Sequence, residues 1–483
     1  MRAALLAVGV LAALRLVAAG TVPLIDDEAY YWLWAQRLDW SYLDHPPMIA
    51  YLIAAGTALA DGPVWVRLPA LVLGFLTTYA LFLLGRDLFG PRAGVFAALL
   101  FQLTPVLAGA GLLATPDAPL FLAWVVAMRA LWRIFGGPAP APVGAWLAAG
   151  LATGLGVLSK FAIVLLPLGA VVVAAGRWRV VRGPGPWLGA AVAAAGALPV
   201  LWWNLTHRWA AVRFVLFERV PGTATGWLGV VQLLTQQFAF ALLLVPAFAW
   251  ALAAAWRRRR DARFAFLFWT ALPAVAMPAA AAWVSGAPHG NWLGPAYLGL
   301  AVVLGALWTR TTAALAALSG AILAYGFAVA VVPALPPLPG AEDLYGWPQA
   351  AARVQAELAA LPPGAVIAAD RYQVAAQLAY YTRWQVPVTL LPEPNPASIW
   401  TPPAALAGRD AVAVVDARWT PHVAWERHAG HVEEAPPEVV HFHGRPLRTF
   451  RIFRLRTLLA APGPASDPAP RRTGALSAPG GGK

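Results

Sequence analysis

Apolar residues run along this chain in long stretches, not at the alternating spacing of a half-buried sheet. Eleven stretches predict membrane-crossing helices, at about residues 3–20, 64–84, 93–111, 117–134, 144–159, 161–176, 186–203, 228–255, 264–284, 292–308 and 311–333. The fifth and sixth are short and read as a helical pair, with Lys160 at the turn and Pro167 placed to kink the second. The pattern changes after the linker PALPPLPG. A helix (Trp347 to Leu361), a strand-like run AVIAAD, a second helix (Arg371 to Tyr381) and the runs VTLL and VAVVD predict a small α/β domain. The expected organisation is a transmembrane domain over 1–335, an outer α/β domain over 336–460 and a disordered tail over 461–483.

Composition agrees with the pattern. The 483 residues are 60% hydrophobic and 12% charged, against about half and a quarter in soluble domains. Cysteine is absent, which excludes disulfides, thiolate metal sites and thiol nucleophiles. The net charge of +13 does not indicate nucleic acid, because the basic residues sit in short loops between apolar segments. Arg86, Arg92, Arg129, Arg133, Arg177, Arg179, Arg182, the run Arg257 to Arg263, and Arg310 all follow even-numbered helices. Alternation therefore places them on one side, the cytoplasm. The N-terminus is then inside and everything after Pro333 outside. The basic, apolar N-terminus also has the form of a signal peptide. It reads better as a retained first helix, because the loop that follows makes sense only when tethered to a bundle. Arg15 within it is expected to face protein or to snorkel.

The outer face receives the 21–63 loop, the turn TPDAP, Lys160, the 204–227 loop and the turn SGAPHGNW. The first loop is too polar to span and too aromatic to be an ordinary connection. It predicts an interfacial helix from about Glu28 to Leu38, an HPP corner, and a second apolar helix from about Met48 to Ala60. Asp26, Asp27 and Glu28 open the first helix. One acid suits a helix N-terminus, but three in a row exceed what capping needs, so the cluster is a candidate base or cation site. Asp44 and His45 precede the two prolines. The prolines account for a rigid turn, while Asp44 and His45 are candidates for a phosphate or a divalent cation.

Two further residues stand out. Of 35 basic residues, 33 are Arg, and the only Lys before the terminal Lys483 is Lys160, between two apolar helices. A compact ammonium where the protein otherwise writes Arg points to phosphate binding over simple snorkelling. Asp117 starts the fourth helix, where the dipole favours an acid whether or not it has a chemical role. In the turn before the tenth helix, Asn291 reads as a cap, Trp292 as an interface anchor, and His289 as a candidate substrate contact.

In their order, DDEAYYWLW…HPP, TPDAP, GLGVLSK and NWLGPAY give the chain a resemblance, over about residues 5–335, to polyprenyl-phosphate-dependent glycosyltransferases of the GT-C fold. Within them it resembles the glycosyltransferase family 39 type, related to protein O-mannosyltransferases and lipid A aminoarabinose transferases. The resemblance implies a catalytic carboxylate at Asp27 with Glu28 beside it, and a second acid at Asp117. It implies a basic residue near the lipid phosphate at Lys160, and His45 where relatives carry Lys or His before the prolines. Asp44 stands where some relatives carry a metal-binding acid, but the partner His is not evident, and the segment RFVLFERV offers Glu218 and Arg219 instead. A divalent cation is therefore a candidate cofactor only.

Such chemistry suits the residues. A sugar on a polyprenyl phosphate (undecaprenyl phosphate in bacteria) carries its own leaving group, so one carboxylate that deprotonates an acceptor hydroxyl is sufficient. A single displacement inverts the anomeric centre. Lys160, His45, Arg219 and His289 are the candidate cations around the phosphate. The expected protein is thus an all-α polytopic bundle of the bacterial inner membrane, with interfacial helices and a small outer α/β domain. It would transfer a hexosyl or pentosyl group to a lipid, glycan or protein acceptor at the outer face. A flippase for lipid-linked sugars and a ligase or polymerase with a diphosphate-linked donor are the alternatives. The first would need acids within the membrane, and the second Arg and His in a large outer loop.

Overall fold

The computed structural model describes residues 2–137, 139–215, 225–286, 289–331, 341–391, 399–419, 423–442 and 444–461. The linker after Pro333, the pair Glu218 and Arg219, and the tail from 462 lie outside them. The chain divides into two compact units, one running to Tyr345 and one from Gly346.

The first unit is helical throughout. It begins with α1 (Arg2–Thr21), α2 (Asp26–Gln36), α3 (Met48–Thr57), α4 (Pro63–Phe89), α5 (Pro91–Leu103), α6 (Pro105–Ala110) and α7 (Asp117–Gly136). Then come α8 (Val143–Ser159), α9 (Leu165–Ala175), α10 (Gly185–Thr206), the short α11 (Ala210–Arg213), α12 (Trp227–Ala241), α13 (Val245–Arg257), α14 (Ala262–Ser285), α15 (Gly294–Ala306) and α16 (Arg310–Val331). Among the described residues each of the eleven apolar stretches is helical, and seven helical segments are long and apolar enough to cross a membrane by themselves. The protein is therefore a multi-pass membrane protein.

The stretch 93–111 is two helices, because Pro105 has no N–H to give the preceding turn and starts α6 instead. The stretch 228–255 breaks at a 3-10 turn over Leu242–Leu244, just before Pro246. Beyond Lys160 the chain makes a 3-10 turn (Phe161–Val164) and becomes α-helical two residues before Pro167.

Burial sorts the helices. Every residue of α15 from Gly294 to Gly305 is buried, which makes it the central post of the bundle. Phe101, Phe121, Trp124, Phe248 and Phe266 fill the space around the inner helices. The spans α1, α10 and α16 bury only about a quarter of their residues and turn Leu, Val and Trp outward, as lipid-facing helices do. Small residues set the closest approach. A Cβ on Gly74 of α4 would strike the backbone of Gly111, so glycine here lets the 111–116 turn lie against α4. At the basic ends, Arg129 of α7 and Arg86 both pair with Asp87 of α4, at 2.7 and 3.0 Å, while Arg263 packs over the Phe89 ring. The basic ends of α4, α7 and α14 therefore lie together.

The second unit contains α17 (Trp347–Ala359), β1 (Val366–Ala369), α18 (Tyr372–Tyr381), β2 (Val388–Leu390), β3 (Ala411–Asp416), β4 (Ala429–Phe442) and β5 (Arg445–Leu458). The strand order is β2-β1-β3-β5-β4, with β2, β1 and β3 parallel and β5 and β4 antiparallel. The β4–β5 hairpin has no counterpart in the sequence reading. Pro436 and Pro437 interrupt its pattern, and the ladder absorbs them in a register shift on an edge strand, where missing N–H groups are tolerated.

Asp416, at the end of β3, is fully buried between Arg418 (2.6 Å) and Arg448 (2.8 Å), and Arg448 lies 4.0 Å over the Trp347 ring. Burial alone would raise the Asp416 pKa, but the Arg418 donors and the Arg448 charge outweigh it and hold it below the usual carboxylate range. Its contribution to stability is therefore complete above about pH 4 and is lost as acid takes the pH through the lower folded value. Asp416→Asn leaves the Arg448 charge buried and uncompensated, and is expected to cost about 3–5 kcal/mol. Glu434→Gln breaks an exposed pair with Arg451 and is expected to cost about 0–1 kcal/mol. Limited proteolysis of the full-length protein beyond Gly346 checks both. Equal protection of the two variants would refute the difference.

Candidate functional site

The three acids that open α2 have different surroundings. Glu28 is fully buried and turns back on its own helix start, accepting from the Ile25 N–H at 3.1 Å. Its Oε1 also accepts from Arg67 Nε (2.8 Å) and the Ala114 N–H (2.9 Å), and its Oε2 from Arg67 Nη2. Arg67 of α4 spends its remaining donors on the carbonyls of Ala19, Val22 and Pro23. This pair ties together the end of α1, the start of α2, α4 and the 111–116 turn. Asp26 and Asp27 are only partly buried, and Asp27 stands about 100° round the helix from Glu28.

Aromatic side chains fix the HPP corner to the same helix. Trp34 stacks on Tyr42 with ring centroids 4.3 Å apart, and the rings of Tyr30 and Tyr31 pack against Trp34 at 5.0 and 4.9 Å. Tyr30 Oη donates to Asp44 Oδ2 at 2.8 Å, and the Tyr31 ring meets His45 edge-on at 6.0 Å. Burial pushes the Tyr42 phenol up, which keeps it a donor to the carbonyls of Trp34 and Arg37. Asp39, not singled out in the sequence, accepts from Trp203 Nε1 at 2.8 Å and so joins the first loop to α10. Asp44 and His45 are thus held on the same platform as Asp27.

The second cluster is assembled from three helix ends. Asp117 lies at the N-terminus of α7, where the dipole favours its charge. Lys160 stands in extended backbone between α8 and the following 3-10 turn, and its Nζ donates to Asp117 Oδ1 at 2.8 Å. Asn291, in the 3-10 turn Gly290–Leu293, donates to Asp117 Oδ2 at 3.1 Å. Both charged side chains are nearly buried, at 12–13% exposure. An ammonium with one of its three donors on Asp117 keeps two for an anion. Two of the sequence candidates, Asp117 and Lys160, therefore meet. The residue of the last turn that joins them is Asn291, through Asp117 alone, while the His289 ring packs beside Trp292 at 5.1 Å. Arg219 lies outside the described residues.

The two clusters share a support. Ala114, held by Glu28, is three residues before Asp117, so the Glu28–Arg67 pair positions both the start of α2 and the approach to α7. Among the described residues no three His, Asp or Glu side chains are placed to hold a metal ion. Asp44, the sequence candidate, accepts a hydrogen bond from Tyr30 instead.

Comparison with known proteins gives this geometry a context. The model of the dolichyl-phosphate-mannose-protein mannosyltransferase family matches residues 44–203, which include Asp44, His45, Asp117 and Lys160. The chain is 30% identical over 283 residues to the lipid A galacturonosyltransferase RgtD of Rhizobium johnstonii, covering 56% of this chain and 58% of that protein. It is 28% identical over 251 residues to an undecaprenyl phosphate-alpha-4-amino-4-deoxy-L-arabinose arabinosyl transferase of Pseudomonas fluorescens, covering 48% and 43%. The chain thus spans about half the length of the curated relatives it matches. The crystal structure of ArnT from Cupriavidus metallidurans superposes with a TM-score of 0.66 at 18% identity, over 93% of this chain and 97% of that one. The chain has the GT-C membrane fold, the fold that its first-loop and Asp117 motifs resemble.

Proposed function

We propose that the protein is a membrane glycosyltransferase that moves a sugar from a polyprenyl phosphate to a lipid acceptor. The observation that carries this reading is the Asp117–Lys160–Asn291 cluster beside the acid-opened helix α2. The names of the relatives support it: one acts on lipid A, another on an undecaprenyl-phosphate-linked sugar. ArnT has also been crystallised with undecaprenyl phosphate.

In this mechanism Asp27 takes the proton from the acceptor hydroxyl as its oxygen attacks the anomeric carbon. The bond from that carbon to the phosphate oxygen breaks on the opposite face. Its electron pair leaves as polyprenyl phosphate, and the anomeric centre inverts. Lys160 and His45 offset the charge that grows on the phosphate. Asp117 and Asn291 hold the ammonium in place, and Glu28 with Arg67 fixes the distance between the clusters. The arginine-rich helix ends support a cytoplasmic assignment for the far side, and hence an active site facing outward in a bacterial inner membrane.

The test is release of free undecaprenyl phosphate by the purified full-length protein, given a panel of undecaprenyl-phosphate sugars and a lipid acceptor. Donor-dependent release is expected. Lys160→Gln is expected to lower kcat/KM for the donor by about 10–100-fold, the worth of a charge-assisted bond of roughly 1.5–3 kcal/mol. Lys160→Arg, which keeps charge but not shape, should fall between the two. A folded protein that releases nothing from any donor, yet moves these lipids across vesicles, would replace the enzyme with a flippase.

A further inference from the structure

A cavity of about 610 Å³ opens between α1, α4 and α5, and reaches Leu68, next to Arg67, and Gly111 at the start of the 111–116 turn. Leu5 and Leu16 mark its extent on α1, and Leu68 and Phe82 on α4. At 1.5 Å per residue these spans are roughly 16 and 21 Å. That is slightly more than one leaflet of a hydrocarbon core about 30 Å thick. The walls are apolar except for Arg15, Thr78, Tyr79 and Gln102.

Arg15 is 4% exposed, and its Nη2 has no hydrogen-bond partner among the described residues. The guanidinium lies 5.9 Å from the Phe101 ring. Gln102, 3% exposed, gives its Nε2 to Thr78 Oγ1 at 2.7 Å and leaves Oε1 without a partner. No carboxylate lines the cavity. Glu28, the buried acid of the first loop, is committed to Arg67. A permanent positive charge, facing an apolar groove of leaflet length, lacks its counter-charge within the wall.

We propose that this groove holds an acidic phospholipid of the bilayer, with one acyl chain between α1 and α4 and its phosphate on Arg15. Charge and shape select this occupant together. The apolar walls require a hydrocarbon chain, and the unpaired guanidinium fork matches phosphate oxygens. Arg15 lies six residues, about 9 Å, before the end of α1 at Thr21. Its guanidinium is held inside the bundle, near Phe101, so the lipid phosphate would sit about that far below the interface, drawn there by the uncompensated charge. The sugar donor is a different lipid with a different place, since the proposed donor phosphate belongs at Lys160, which does not line this cavity. The choice of a lipid other than the donor rests on that proposed donor site.

Native mass spectrometry of the detergent-exchanged full-length protein, titrated with dioleoyl phosphatidylglycerol or dioleoyl phosphatidylcholine, tests it. One phosphatidylglycerol is expected to stay bound, with at least about a tenfold preference over phosphatidylcholine. Arg15→Gln should remove that preference, and Val72→Trp, which fills the groove, should remove retention of either lipid while Arg15 is intact. Equal retention of the two headgroups by the wild type would overturn the proposal, as would an undiminished preference in Arg15→Gln. One-for-one displacement of the phosphatidylglycerol by undecaprenyl phosphate would assign the groove to the donor instead.

Discussion

Asp27→Asn is expected to lower turnover by about 10²–10⁴-fold, the usual contribution of a positioned general base. The amide has the size of the carboxylate and can still accept a hydrogen bond from the acceptor hydroxyl, but it cannot take the proton. The loss should therefore fall on kcat, with KM for the donor within a few-fold of wild type, because the cations proposed to hold the phosphate are untouched. Asp27 is partly buried and is not part of the Glu28–Arg67 pair, so the variant should unfold at the wild-type temperature. Turnover within about threefold of wild type would move the base to Glu28 or Asp117.

Glu28→Gln should behave in the opposite way. The expected result is a loss of about 3–5 kcal/mol in stability, because a fully buried Arg67 would keep its charge without the carboxylate. Arg67→Met alone should cost a similar amount from the other side. The double variant Glu28→Leu/Arg67→Met should regain part of the loss, since two apolar side chains no longer leave a charge behind. Thermal unfolding in detergent reads all three. A Glu28→Gln protein that unfolds at the wild-type temperature but has no turnover would make Glu28 a catalytic group, and would remove it from the framework that positions Ala114 and Asp117.

The helices were legible because each is a long apolar run, and even the odd pair around Lys160 keeps the boundaries that composition indicates. The interruptions at Thr104–Pro105 and Leu242–Leu244 were not, since apolar content alone does not distinguish a straight helix from a broken one. The hairpin from Ala429 to Leu458 was missed because Arg alternates with Phe, Ile and Leu in one strand while paired prolines interrupt the other. In the site, Asp117 and Lys160 could be named from residue type and position. Their meeting could not, because 43 residues separate them. Arg67 carries the same sequence signal as Arg15, a lone cation within an apolar run, but only the fold shows its carboxylate partner Glu28. Asn291 was read as a cap, and only the fold shows that its amide faces a carboxylate 174 residues earlier.

The order in which that last cluster is completed bears on how the protein is made. Asp117 and Lys160 emerge from the ribosome early, and Asn291 follows 131 residues after Lys160. At about 5–20 residues per second the interval is roughly 7–26 s. During that time the nascent chain lacks both the amide partner of the pair and α15, the fully buried post of the bundle. Whatever the cluster binds therefore meets all three of its side chains only once the chain has been made as far as the turn that opens α15.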